Sequence, residues 1–426
     1  MGWTSARSEA LRERAARVIP GGMYGHQATH LLPDGHPQFF ARAAGAKLWD
    51  ADGNEYLDYL CAYGPNLLGY GHPAIEAAAA EQQRLGDTMS GPAPVMVELA
   101  ERIVSMVSHA RWAIFCKNGT DATSLAMMVA RAQTGRRKIL VARGAYHGAA
   151  PWCTPVRAGT LSDDRAHQLH YVYNDAESFE RTLRAAGDDA AGVFASPYKH
   201  DAFVDQEIPS REYAQRVREL CDETGALLIV DDVRAGFRLA RDCSWSLLGV
   251  EPDLSCWGKA IANGHPLSAL LGSEKARAAA QRIYATGSFW FSAVPMAAAL
   301  ATLREIRESD YLERTQRLGE RLREGLAQRA AAHGYALRQT GPVQMPQILF
   351  EDDPDFRKGF CWTAEAARRG VLLHPWHNMF LCAALTEGDI EKTLAASDEA
   401  FAALRLREPE LGPVEKLRPL FAHARE

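Results

Sequence analysis

The 426-residue chain has no apolar run near the roughly 20 residues needed to span a bilayer. Its opening stretch, Met1 to Val18, mixes Arg7, Arg12, Arg14 and Arg17 with Glu9 and Glu13 in place of the apolar core of a secretion signal. Neither export nor membrane insertion is expected. Charge of one sign is lacking too: 48 basic against 53 acidic side chains leave a net −5, scattered along the chain. A polyanion-binding surface is therefore not the main business, and nucleic acid is a poor candidate partner. The eight cysteines, at 61, 116, 153, 221, 243, 256, 361 and 382, show no spacing of a zinc knuckle or redox pair and read as small core residues of a cytoplasmic protein. Lysine is scarce, with nine among the 48 basic residues, so a lysine in an uncharged setting stands out. Internal repeats and low-complexity tracts are missing as well.

What is present is a regular alternation. A helix is predicted over Ser8 to Val18, closed by Pro20-Gly21-Gly22, and a hairpin over Ala46 to Asp50 and Glu55 to Tyr59 around Asp52-Gly53-Asn54. From about Pro73 to Gly272, short apolar runs alternate with amphipathic segments: Trp112 to Cys116, Lys138 to Ala142, Gly192 to Ala195, Ala226 to Val230 and Leu267 to Leu271. That pattern predicts a mostly parallel sheet covered by helices on both faces, with an active site at the carboxyl ends of its strands. One long helical stretch is predicted from about Met296 to Ala332, and a last helix from Glu387 to Leu404.

The polar clusters sit where those strands end. Ala226 to Val230 runs into Asp231-Asp232, two acids that need a cation or a hydrogen-bonding partner if buried. Either they cap or pair structurally, or one of them faces the protonated pyridine nitrogen of pyridoxal 5'-phosphate (PLP), where a negative charge supports the cofactor as an electron sink. Because strand residues alternate in direction, only one of the two can do so. Lys259, in Cys256-Trp257-Gly258-Lys259-Ala260, is either a surface lysine or an amine made nucleophilic by a low-dielectric site. Asn118-Gly119-Thr120-Asp121 opens a helix from about Ala122 to Ala132, and its free backbone amides suit a phosphate, although Thr120 or Asp121 as an ordinary N-cap explains it equally. Tyr146-His147-Gly148 offers an aromatic face for a flat ring, or a core tyrosine.

Together these motifs resemble the class III aminotransferases, nearest the branch of glutamate-1-semialdehyde 2,1-aminomutase. Pro20-Gly21-Gly22, Trp49 to Tyr56, Leu68 to Pro73, Asn118 to Ala122, Tyr146 to Gly148, Asp231 to Arg238, Gly258-Lys259 and Thr386 to Thr393 carry the resemblance. It implies an α/β fold-type I PLP-dependent transferase. An N-terminal segment (1–60) would contribute to the small domain and the active site, followed by a large PLP-binding domain (61–310) and a C-terminal small domain (311–426). It also implies a homodimer with shared active sites. Lys259 takes the Schiff-base role and Asp231 the ring-nitrogen role. Asn118, Gly119, Thr120 and His147 fall at the cofactor, and Tyr146 and Val233 sandwich its ring. Ser288 matches the residue with which a neighbouring subunit reaches the phosphate. Tyr24, His26, Tyr63, Trp152, Trp290 and His374 fall where family substrates bind, each weighed against simple packing. A metal site at His374 and His377 is not expected, because no third ligand lies near.

The departures concern the substrate. Asp232 replaces the usual glutamate, Ser196-Pro197 a glutamate-proline pair, and Trp290-Phe291 makes its loop bulkier. The loop Met23-Tyr24-Gly25-His26-Gln27-Ala28 has no arginine where the aminomutase branch holds the substrate carboxylate. The expected activity is ping-pong amino transfer from an amine or amino-acid donor to a carbonyl acceptor, on a neutral or polyhydroxylated substrate. Intramolecular amino transfer, racemisation, decarboxylation and PLP binding without turnover remain alternatives.

Overall fold

The computed structural model describes residues 3–417, which form two compact units. One unit comprises Pro73–Asp201 and Gln206–Leu312. Its seven-stranded sheet has the spatial order Trp112–Cys116, Ser268–Gly272, Leu254–Trp257, Leu227–Asp231, Ala190–Ala195, Lys138–Ala142, Gln168–Tyr171. All adjacent pairs are parallel except the two made by Ser268–Gly272, which runs antiparallel to both neighbours. The strands ending at Cys116, Ala142, Asp231 and Trp257 therefore deliver their carboxyl ends to one edge.

Burial is continuous along Leu227–Asp231, as a strand covered on both faces requires. Alternation then sorts its side chains. Leu227 and Ile229 join Ile139, Val141, Phe194, Leu254 and Cys256 in a core with the helix Gly119–Thr134. Asp231, two residues beyond Ile229, is directed to that same face. Two strands lay outside the sequence reading: Gln168–Tyr171 is polar, and Leu254–Trp257 is only four residues long. The expected helix from Met296 to Ala332 is instead two, Ala293–Glu308 and Tyr311–Ala332. The break is at Ser309, which turns extended while both its amide and its hydroxyl hydrogen-bond the Glu305 carbonyl.

Among the described residues, the other unit comprises 3–72, Ala202–Asp205 and 313–417. Phe40–Ala44, Lys47–Asp50 and Glu55–Asp58 form an antiparallel meander, to which Val371–Leu372 adds in parallel. Asp50 holds the hairpin turn: its carboxylate accepts from the amides of Asp52 (3.0 Å) and Asn54 (2.8 Å) and from the Tyr56 hydroxyl (2.8 Å). Helices Arg357–Arg368 and Glu387–Arg407 pack through Trp362 stacked on Phe401, with ring centroids 5.2 Å apart. All eight cysteines are free thiols, and seven of them are buried. No described helix is long and apolar enough to cross a membrane.

Candidate active site

At the carboxyl edge of the large sheet, four strand ends bring together residues far apart in sequence. Asp231 is buried, and its carboxylate accepts from the His147 ring (Nδ1 to Oδ2, 2.7 Å) and from the Val233 amide (3.2 Å). Asp232 points the other way, accepting from the Ser244 amide at 2.8 Å, and burial pushes its carboxyl up to about 6. The two adjacent acids are thus separated in partner and environment.

Lys259 follows Gly258 at the end of Leu254–Trp257, in a left-handed conformation (φ 48°). A non-glycine residue held there stores strain, which recurs at functional positions. Burial, and next the guanidinium of Arg234, lower its ammonium to about 7 against the opposing pull of Asp231. An amine at that value is substantially neutral at physiological pH and able to attack a carbonyl.

The helix begins at Gly119, three residues before the expected start, so Asn118 occupies the N-cap position. Asp121 reaches back to the amides of Asn118 (2.9 Å) and Lys117 (3.2 Å). The first-turn amides of Gly119 and Thr120 have no intrahelical acceptor by the geometry of a helix start. The Thr120 hydroxyl accepts from the Ala149 amide at 3.1 Å, and Thr123 donates to the His147 carbonyl at 2.8 Å, which ties the Tyr146-His147-Gly148 segment to this helix end. At Gly119 a Cβ would lie 2.7 Å from Val233 Cγ1, so only glycine lets the backbone approach this closely.

Among the remaining candidates in this unit, Trp152 belongs to the hydrophobic core, packing on Phe194 and donating to Ser124 Oγ at 3.1 Å. Trp290 is half-buried over Gly287, and Ser288 is exposed. In the other unit Tyr24 is exposed, while His26, Tyr63 and His374 join one ring cluster with His377. Arg234 received no role from the sequence. It is buried among Tyr146, Tyr198, Asp201 and Asp231, and the only prior signal was its place directly after Asp231-Asp232-Val233. Among the described residues, no cluster of three or more His, Cys, Asp or Glu side chains forms a metal site.

A family model for aminotransferase class III matches residues 32–387. The chain belongs to the class III aminotransferases. It is 62% identical over 398 residues to an aminopentol aminotransferase of Sphingopyxis macrogoltabida, covering 93% of this chain and 94% of that one. It is 33% identical to a glutamate-1-semialdehyde 2,1-aminomutase of Anaeromyxobacter, covering 93% and 98%. The solved structure of the PLP internal aldimine form of the Sphingopyxis sp. MTA144 FumI protein superposes with a TM-score of 0.95 at 61% identity, covering 96% of this chain and 99% of that one. The architecture is accordingly that of fold-type I, and the cofactor of this aminotransferase is PLP. Its strand-end residues fit that group: a near-neutral lysine, a buried aspartate, a helix start kept open by Gly119, and a buried His147 Nε2 that has no partner among the described residues.

Proposed function

We propose that this aminotransferase takes the amino group from a neutral, polyhydroxylated primary amine and passes it to a carbonyl acceptor in a ping-pong cycle. The observation that carries the donor is the 62% identity to an aminopentol aminotransferase, a name that denotes an amine bearing five hydroxyls. The arginine-free loop Met23 to Ala28 supports it, because a substrate carboxylate in a closed site calls for a bidentate cation.

When bound, PLP supplies an electron sink that acidifies the C–H beside the substrate nitrogen. The chain's residues supply the rest. Lys259 Nζ is the covalent anchor and, once released, the group that takes up and returns the proton. Asp231 holds a negative charge for the ring nitrogen, oriented by His147 and the Val233 amide. Gly119 and Thr120 hold the phosphate, with Asn118 and Asp121 shaping that helix start, and Tyr146 and Val233 enclose the ring.

We also propose a cytoplasmic homodimer in which Ser288 of each subunit completes the other's phosphate site. Exposed Tyr284 and Phe289 beside it support a covered interface, and the free cysteines suit a reducing compartment. The test supplies the purified holoenzyme with an aminopentol and pyruvate and measures the ketone and alanine formed. In parallel, glutamate-1-semialdehyde is supplied alone. Efficient 5-aminolevulinate formation without a donor would overturn this reading in favour of the aminomutase.

A further inference from the structure

Side chains of the strand Leu254–Trp257 point to opposite faces in turn. Leu254 and Cys256 join the core against the helix Gly119–Thr134, so Ser255 and Trp257 face the other way, the side to which Asp232 also turns. On that side the chain buries a line of polar groups. The Trp257 indole donates from Nε1 to Ser255 Oγ at 2.7 Å, and Ser255 Oγ lies 3.0 Å from Nε2 of His109. Indole can only donate, which leaves the serine proton for the histidine, so Ser255 donates to Nε2. Trp257 and Ser255 are fully buried and His109 is 3% exposed. Burial lowers the His109 ring to about 4, and the line is uncharged at neutral pH.

A buried hydrogen-bond line fixes direction where apolar packing alone fixes only shape. What it directs here is the indole, and the indole is a wedge. Its ring packs on Phe237, with centroids 4.7 Å apart, and a Cβ on Gly236 would lie 2.7 Å from its Cε3 and Cζ3 atoms. Gly236 and Phe237 belong to the turn that leaves Asp231. There the Gly236 amide donates to the Asp232 carbonyl at 2.8 Å, Phe237 is left-handed (φ 60°), and the Phe237 carbonyl accepts from the Tyr311 hydroxyl at 2.7 Å. The turn is therefore held between Tyr311 and Trp257. It carries Val233 and Arg234, while Trp257 stands two residues before Lys259. Gly258 between them cannot absorb a shift, because a Cβ there would already lie 2.7 Å from Ser268 Oγ.

We infer that Trp257, held by Ser255 and His109, is a positioning residue that registers the turn after Asp231 against Lys259. This rests on Lys259 as the covalent anchor proposed above. The consequence is electrostatic. The charged groups that act on the Lys259 amine are Arg234 and Arg238, which oppose its protonation, and Asp231, which favours it. Arg234 rides on the turn, whereas Asp231 belongs to the strand Leu227–Asp231 itself. An indole free to tilt releases the turn, and two like charges then separate while Asp231 stays. The amine drifts back toward the ordinary lysine range.

The experiment follows covalent capture of PLP by the full-length apoenzyme across pH, with the Tm of each variant measured beside it. Ser255→Ala removes both hydrogen bonds and keeps the indole, and Trp257→Phe removes the N–H and keeps a ring. In Ser255→Ala the pH at which capture levels off should move upward by about half a unit or more, roughly halving the neutral amine at pH 7. Trp257→Phe should shift it in the same direction. The double variant should move no further than the larger single shift, because both substitutions break one line. Ser255→Thr, which keeps the hydroxyl, should return the wild-type profile, and the Ser255 pair decides alone if Trp257→Phe does not fold. A line with a structural role only would lower the Tm of Ser255→Ala and leave its profile in place, and that result overturns the inference, as do shifts that add in the double variant. Trappable cofactor surviving in Lys259→Ala would instead overturn the anchor, and this inference with it.

Discussion

The strand-end site and the ring cluster solve opposite problems. At the strand ends charged groups are placed apart: Asp231 accepts from a histidine and an amide, Asp232 is turned away and pushed up to about 6, and Lys259 is brought to about 7. In the ring cluster charge is removed, through a locked neutral His374, a His36 lowered to about 3 and a Tyr63 phenol that burial pushes upward. Chemistry that stabilises a carbanion needs fixed charge. The difference teaches that one chain can keep a charged cluster and an uncharged one side by side in its sequence by giving each its own partners and burial.

The largest effect that would break this contrast is at Lys259. Lys259→Ala should lower turnover by about 10⁴-fold or more and abolish the borohydride-trappable cofactor; a reducible linkage surviving in the variant would disprove the assignment. Next, Asp231→Asn should retain PLP, read by absorbance, while kcat falls by roughly 10²- to 10³-fold, since shape is kept and charge is lost. Asp232→Asn should cost less than about tenfold, and the reverse order would mean the two acids have exchanged roles. The pH dependence follows from Lys259: its neutral fraction grows as pH rises through about 7, so covalent capture of PLP by the apoenzyme should accelerate between pH 6 and 8 and then level off. A rate still climbing toward the ordinary lysine range would show that burial does not lower this amine. At Gly119 the clash with Val233 predicts that Gly119→Ala loosens PLP about tenfold and that Val233→Ala partly rescues it, a coupling measured by cofactor dissociation.

The two regions also differ in how far the sequence disclosed them. Lys138–Ala142 and Trp112–Cys116 are apolar runs bounded by polar clusters, and in a buried parallel sheet such runs mark strands and their ends directly. The split between Asp231 and Asp232 follows from alternation alone. The helix Gly119–Thr134 starts three residues earlier than the sequence pattern predicts, because Gly119 and Thr120 are poor helix formers that tertiary packing against Val233 and Ala149 overrides. The ring cluster was visible only as scattered histidines and tyrosines, since His26, Tyr63 and His374 meet through long-range folding that no periodicity encodes. The state of His374 depends on backbone amides at 376 and 377, which carry no sequence signal. Arg234 was hidden for a similar reason, because its companions Tyr146, Tyr198 and Asp201 come from other loops.

The smallest effect sharpens the comparison through the backbone. Both regions hold left-handed non-glycine residues, Lys259 among them at the strand ends, but Cys61, Ala62 and Tyr63 are three in a row, with φ of 47°, 54° and 62°. The turn is clamped by the buried Asp58, which accepts from the amides of Leu60 (2.8 Å) and Cys61 (3.0 Å) and from the Tyr70 hydroxyl (2.7 Å). An L-residue held left-handed costs roughly 1–2 kcal/mol, whereas glycine surrenders about 0.5–1 kcal/mol of extra unfolded-chain entropy. Ala62 is exposed, so no packing is lost on its replacement. Ala62→Gly should therefore raise the Tm slightly, by roughly 1–3 °C. A fall in Tm of the same size would mean that the clamp at Asp58, and not strain in the left-handed run, sets the energetics of this turn.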